Sequence, residues 1–308
     1  MNNGNENFYE DEIDLKKLFL ILWDKKVLIG ALTTIAAILS VLYALSLPNI
    51  YTSSTLLAPA AQEDSLSSKL GGYSGLASFA GIELPGNEAS KTEEAIKRIK
   101  SFDFFSKFFL QNVQLENLMA LEEWVQNGNI LIYDEDAFDS KSRKWVRKVS
   151  FPQKIIPSDQ EAFKKFKAIL NVKKDADTGF VTLSIEHRSP IIAKKWVDII
   201  IYNINESMRA IDKSKAQNSI DYLNESAKSA NIQSVREVIA RLQESQMQTL
   251  MLASSEKEYI FKTIDSAIVP ERKSSPNRAV ICILGTLLGG ILSIMIVFIQ
   301  LYRESSKS

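Results

Sequence analysis

Two uncharged stretches near the ends of the chain constrain its fold more than any other feature. Val27–Leu47 covers 21 residues and Ala279–Tyr302 covers 24, and neither contains Asp, Glu, Lys or Arg. At about 1.5 Å rise per residue, a helix of either length crosses the roughly 30 Å hydrocarbon core of a bilayer. The reading is two transmembrane helices, at 27–47 and 279–302, with an N-terminal segment 1–26, an intervening domain 48–278 and a tail 303–308. A cleaved signal peptide would carry a shorter apolar core closed by an A-x-A site, which is not found here. Lys16, Lys17, Lys25 and Lys26 precede the first stretch, and no basic residue follows it until Lys69. That asymmetry puts the N-terminal segment in the cytoplasm, so both termini are expected there and residues 48–278 outside the membrane.

Composition narrows the function classes. The 37 Lys+Arg balance 37 Asp+Glu, so no overall field attracts nucleic acid, and none is expected as a partner. A single cysteine, Cys282, and a single histidine, His187, leave no Cys/His zinc site and no disulfide framework. His187 stands at a strand end with no nucleophile elbow nearby, which reads as a structural histidine rather than a catalytic base. No phosphate-binding glycine motif occurs among the glycines between residues 60 and 90, which read as a flexible loop with a short helix at Leu76–Gly81. No catalytic residue, metal ligand or cofactor is expected. Within the tail from Arg303 to Ser308 there is no room for a kinase or other output module. Leu15, Leu18, Phe19 and Leu22 share one helical face, either a membrane-surface helix or an extension of the first span.

The intervening domain mixes strand and helix signals, an α+β pattern. Ile50–Ala58 alternates and is rich in Thr and Tyr, so it reads as a strand leaving the first span. Ser90 and Glu93 match a capping box opening a helix, and Ser101 caps a second helix whose Phe104, Phe105, Phe108 and Phe109 read as core. A helix is expected over Gln114–Gln126, stopped at Asn127-Gly128. The acidic run from Asp134 and the basic run from Lys141, around Trp145, read as a self-neutralising hairpin. Ser158 and Glu161 cap a helix carrying Phe163, Phe166, Ile169 and Leu170, and Asp175–Gly179 reads as a turn. Val181, Leu183 and Ile185 form a strand ending at His187-Arg188, after which Ser189-Pro190 opens a helix.

Neither proline nor glycine occurs between Pro190 and Pro270. Apolar residues recur at three- and four-residue steps from Trp196 to Met251, so the helical region occupies about 190–253, either as one unbroken helix or, slightly preferred, as a hairpin with a break near Ala230–Ser234. Tyr259–Val269 reads as a strand returning beside the first, giving a mixed sheet near the membrane with long helices projecting from it. Ile220, Leu223 and Leu242 belong to the apolar helical stripes expected to meet neighbouring copies. In the second span, Gly285 and Gly289 form G-x-x-x-G, followed by Gly290, and permit close approach of another membrane helix.

Five segments stand out in order: Asp11-Glu-Ile-Asp-Leu15 before the first span, Tyr51-Thr-Ser-Ser-Thr-Leu56 after it, Leu183-Ser-Ile-Glu-His-Arg-Ser-Pro190, Ser219-Ile-Asp-Tyr-Leu-Asn224, and Pro270-Glu-Arg-Lys-Ser-Ser-Pro276 before the second span. In these the chain resembles the Wzz-type polysaccharide co-polymerases, the O-antigen chain-length determinants of Gram-negative bacteria. It implies a non-enzymatic inner-membrane protein whose periplasmic domain assembles as a homo-oligomeric ring. Such a protein sets polysaccharide length alongside a separate polymerase, with the growing polysaccharide and the bilayer as further partners. Without a phosphate loop it falls in the kinase-free branch. Pro270 and Pro276 join Gly285, Gly289, Gly290, Ile220, Leu223 and Leu242 as candidate assembly and packing residues. Two other readings remain open: a capsule or exopolysaccharide export co-polymerase working with a separate cytoplasmic kinase, and a periplasmic glycan hydrolase.

Overall fold

The computed structural model describes residues 22–60, 88–229 and 232–305. The amphipathic leader face and the glycine-containing loop fall almost wholly outside the described residues. The chain divides into two compact units, Met1–Pro48 with Ser275–Ser308, and Asn49–Ser274.

The first unit pairs α1 (Lys26–Ser46) with the last helix, α8 (Arg278–Ser305). Both are long and apolar enough to cross a membrane. Their backbones approach closely because α8 has no side chain where they meet. A Cβ on Gly285 would lie 2.4 Å from Cβ of Ser40, and one on Gly289 would lie 2.2 Å from Cβ of Ala36. Thr33 Oγ1 and Ser293 Oγ stand 3.4 Å apart across the same seam. Arg278 donates to the Leu47 carbonyl at 3.2 Å, satisfying an acceptor that the end of α1 leaves open.

The second unit is built on a four-stranded sheet of β1 (Tyr51–Pro59), β6 (Leu170–Lys174), β7 (Val181–His187) and β8 (Phe261–Asp265), in the order β6-β7-β1-β8. Every neighbouring pair is antiparallel, with Thr55 opposite Leu183 and Leu57 opposite Thr263. The expected mixed sheet is therefore corrected. β7 and β8 run in the same direction, but β1 lies between them, so no two parallel strands are neighbours. A bulge between Leu56 and Leu57 shifts the β1–β8 register. The buried hydroxyls of β1 are satisfied by the segment that follows: Thr55 Oγ1 donates to the Asp265 carbonyl and Ser53 Oγ to that of Ile268.

Helices cover this sheet. α2 (Glu88–Ile99) starts two residues before Ser90, so the expected start at Ser90 falls inside the helix. Ser101 does cap α3 (Phe102–Phe104), accepting from the Phe104 amide, and the helix continues as a π-helical stretch, Phe105–Phe109. The wider turn places Phe105 and Phe109 against Phe166, with ring centroids 5.0 and 4.5 Å away. Phe104, Phe105, Phe109 and Phe166 are fully buried, each stabilising the fold by about 1.5–3 kcal/mol relative to exposure. Phe166 belongs to α5 (Asp159–Ile169), whose expected Ser158–Glu161 capping box is present. α5 ends at Ile169, so Leu170 opens β6 and is not helical.

The helix expected over Gln114–Gln126 is replaced by a short α4 (Leu115–Met119) and a hairpin of β2 (Leu121–Val125) and β3 (Ile130–Tyr133). Asn127-Gly128 is thus a strand-to-strand turn, with positive φ at Gly128 (+83°) and Asn129 (+50°). Trp124 and Val125 prefer extended backbone, and Trp124 Nε1 donates to Asn129 Oδ1 at 2.7 Å. β4 (Phe138–Asp139) and β5 (Lys144–Trp145) form the hairpin expected in the charged region.

The long helical segment is a hairpin of α6 (Pro190–Ser229) and α7 (Gln233–Ser255). Gln243 on α7 donates to Asn224 on α6 at 2.8 Å, although 19 residues separate them. One unbroken helix could not bring those residues together.

Candidate functional site

The His187-Arg188-Ser189-Pro190 junction joins β7 to α6 and anchors the β2–β3 region. The Ser189 amide donates to His187 Nδ1 at 3.0 Å, so the ring proton lies on Nε2, which donates to the Asn117 carbonyl at 3.0 Å. His187 is buried, with Trp196 against its ring at 4.6 Å. Burial, then the nearby cations Arg188 and Lys165, depress its pKa, against hydrogen bonds to Asn117 and Ser189 that favour the charged form. Both ring nitrogens are committed to backbone groups, which suits a structural tie and leaves no free base. Arg188 continues the tie, donating to the carbonyls of Leu121 and Glu122.

A second tie was not visible in the sequence. Asn205, inside an apolar stripe of α6, is buried and accepts from the amides of Ile260 and Phe261 at 2.8 and 3.0 Å. Its Nδ2 donates to the carbonyls of Ile201 and Phe261. One side chain therefore satisfies the backbone where the chain re-enters the sheet as β8. Asp212, two turns further along α6, holds Lys91 Nζ at 2.9 Å and the Tyr259 hydroxyl at 2.8 Å.

The charged hairpin is neutralised mostly from outside itself. Arg143 pairs with Glu116, and Arg147 forks onto both oxygens of Glu161 while also donating to the carbonyls of Lys154 and Ile155. The Arg147 hydrogen bond is the largest cause holding the Glu161 carboxyl below its ordinary pKa. Asp139 is lowered by donation from the Ser142 hydroxyl and nearby amides. Among the described residues no group of His, Cys, Asp and Glu could hold a metal ion.

The candidate assembly residues separate into distinct places. Gly285 and Gly289 lie against α1 of the same chain, and the nearest atoms to a Cβ on Gly290 are 4.0 Å away, on Thr33. Pro276 precedes α8, and Pro270 follows β8. Ile220 and Leu223 are buried within a single copy, so the hairpin already covers them, while Leu242 is half-buried. The apolar residues left open on α7 are Val235, Val238, Met247, Met251 and Leu252.

A groove of about 510 Å³ runs along α6 at the edge strand β8, beside the segment from Lys257 to Ala267. Asp198, Tyr202, Asn205, Glu206 and Arg209 recur on one face of α6 to line it.

Two segments of the chain match known family models. Residues 11–111 match the family model described as Wzz, chain length determinant protein. Residues 229–302 match a second model, described as GNVR, a G-rich domain on putative tyrosine kinase. No curated protein matches the chain. Solved structures similar to this chain include a full-length bacterial polysaccharide co-polymerase at 14% identity and TM-score 0.41, covering 95% of this chain and 99% of that one. Another is a fragment of WzzB, a polysaccharide co-polymerase from Salmonella Typhimurium, at 12% identity and TM-score 0.28, covering 74% and 100%. Scores this low establish no shared fold by themselves.

Proposed function

We propose that this chain is a non-enzymatic regulator of polysaccharide length, held in the bacterial inner membrane by α1 and α8 with residues 48–278 in the periplasm. It assembles with copies of itself into a ring beside a separate polymerase and sets the modal length of lipopolysaccharide O-antigen. The observation that carries this reading is the chain length determinant match over residues 11–111. The fully satisfied His187 supports a scaffold rather than a catalyst. Deleting the gene should broaden the ladder of glycan lengths on the cell surface, and restoring it should return the modal band. An unchanged ladder refutes the length-setting role. A lone monomer, measured as the mass of the intact protein in detergent, refutes the ring.

A second reading has its own support in the match of residues 229–302 to a domain described on putative tyrosine kinases. In that reading the protein works in capsule or exopolysaccharide export with a separate cytoplasmic kinase. Affinity capture through the N-terminal segment separates the two, since only the second expects a kinase to co-purify. A glycan hydrolase would instead shorten purified polymer in the absence of any polymerase.

A further inference from the structure

The groove along α6 has the chemistry of a saccharide site. Tyr202 is 67% exposed although it sits on a helix whose other apolar residues are mostly covered, and it is one of the residues lining the groove. An aromatic face held open beside polar groups offers an apolar platform to the C–H face of a sugar, while its rim serves the hydroxyls.

The rim suits that task. Asp198 and Glu206 are each oriented by a cation on the same helix, Lys194 and Arg209. Glu258 accepts from the Thr263 amide at 3.0 Å. Carboxylates positioned this way keep lone pairs for sugar hydroxyl donors, and Arg209 and Lys257 supply donors of their own. Asn205, in contrast, is committed to four backbone partners. It is a fixed part of the lining and anchors β8 rather than offering free donors or acceptors. With Lys194 counted, three carboxylates balance three cations, so the groove offers no net charge to attract a charged sugar.

We propose that this groove binds a stretch of uncharged polysaccharide, with Tyr202 as the stacking platform and the carboxylates of Asp198, Glu206 and Glu258 taking hydroxyls. The proposal rests on the length-setting reading and deepens it. The regulator would grip the chain whose length it sets, beside β8, which among the described residues pairs only with β1.

The test uses full-length protein in detergent and saturation-transfer NMR. The probes are repeat-unit oligosaccharide purified from the host's own surface glycan, and a charged polysaccharide fragment, polygalacturonate. Wild-type protein should transfer saturation to the host oligosaccharide. Tyr202→Ala should weaken binding about tenfold, whereas Tyr202→Phe, which keeps the ring, should bind within about twofold of wild type. Tyr222→Ala, another exposed tyrosine on α6, should change nothing. Equal binding by Tyr202→Ala and wild type overturns the proposal, and so does a preference for polygalacturonate. A change in oligomer mass in Tyr202→Ala without loss of glycan binding also overturns it, because the groove would then be an interface between copies. The length-setting reading stands or falls separately, on the glycan ladder of the deletion strain.

Discussion

A Cβ on Gly289 would come within 2.2 Å of the Cβ of Ala36, a separation that two carbon atoms cannot occupy. The two long apolar helices of this chain therefore touch through the absence of a side chain. The glycines that G-x-x-x-G reserves for a neighbouring helix meet α1 of the same molecule. Gly289→Leu is expected to force α1 and α8 apart, whereas Gly290→Ala, where a Cβ finds its nearest atoms 4.0 Å away, should leave the seam intact. A Thr33→Cys, Ser293→Cys pair reports on this. It should cross-link readily in the parent and in Gly290→Ala, and poorly in Gly289→Leu.

Asn205→Leu removes the acceptor of two buried amides, those of Ile260 and Phe261. Leaving buried donors unpaired costs about 1–3 kcal/mol each, so the loss should exceed that of an ordinary surface substitution. The midpoint of urea unfolding in detergent should fall clearly, with amide exchange rising first at β8. A variant with unaltered midpoint would show that water or another group satisfies these amides.

His187 carries a folded pKa below its unfolded value, so the unfolded chain binds more protons in the interval between the two. Stability then rises with pH across that interval and is lost as pH falls below about 6.5. The urea midpoint should be lower at pH 5.5 than at pH 7.5. His187→Gln, which keeps a donor toward the Asn117 carbonyl, should flatten part of that dependence.

Arg147 holds the carbonyls of Lys154 and Ile155 and the carboxylate of Glu161 together. Arg147→Ala should accelerate amide exchange across residues 150–156 while leaving exchange in β7 unchanged. It should also return the Glu161 carboxyl toward its ordinary pKa, so that the stability it contributes above that range is diminished. Unchanged exchange in 150–156 would show that the segment holds its shape without the arginine.

Some of this could be read directly along the chain. The strand at β7, the Ser158–Glu161 cap, the proline at the start of α6 and the break between α6 and α7 all follow from neighbours within a few residues. The errors lie where distant partners decide. Residues 120–126 read as helix because their spacing tolerates it, yet the carbonyls of Leu121 and Glu122 are taken by Arg188, more than sixty residues away. Ile220 and Leu223 read as surface for another copy, but α7 folds back and covers them. The aromatic cluster draws Phe105, Phe109, Phe166 and Trp196 from three separate segments, and no local pattern specifies that meeting.

By itself the sequence determined the apolar spans and the long helices without proline or glycine, because these depend on composition and on periodicity within one segment. Tertiary structure alone decided which strands are neighbours, which helix Gly285 and Gly289 meet, and that Asn205 anchors the returning strand. Those outcomes depend on burying polar groups only where a partner from elsewhere in the chain can satisfy them, and that partner's position is a property of the folded chain as a whole.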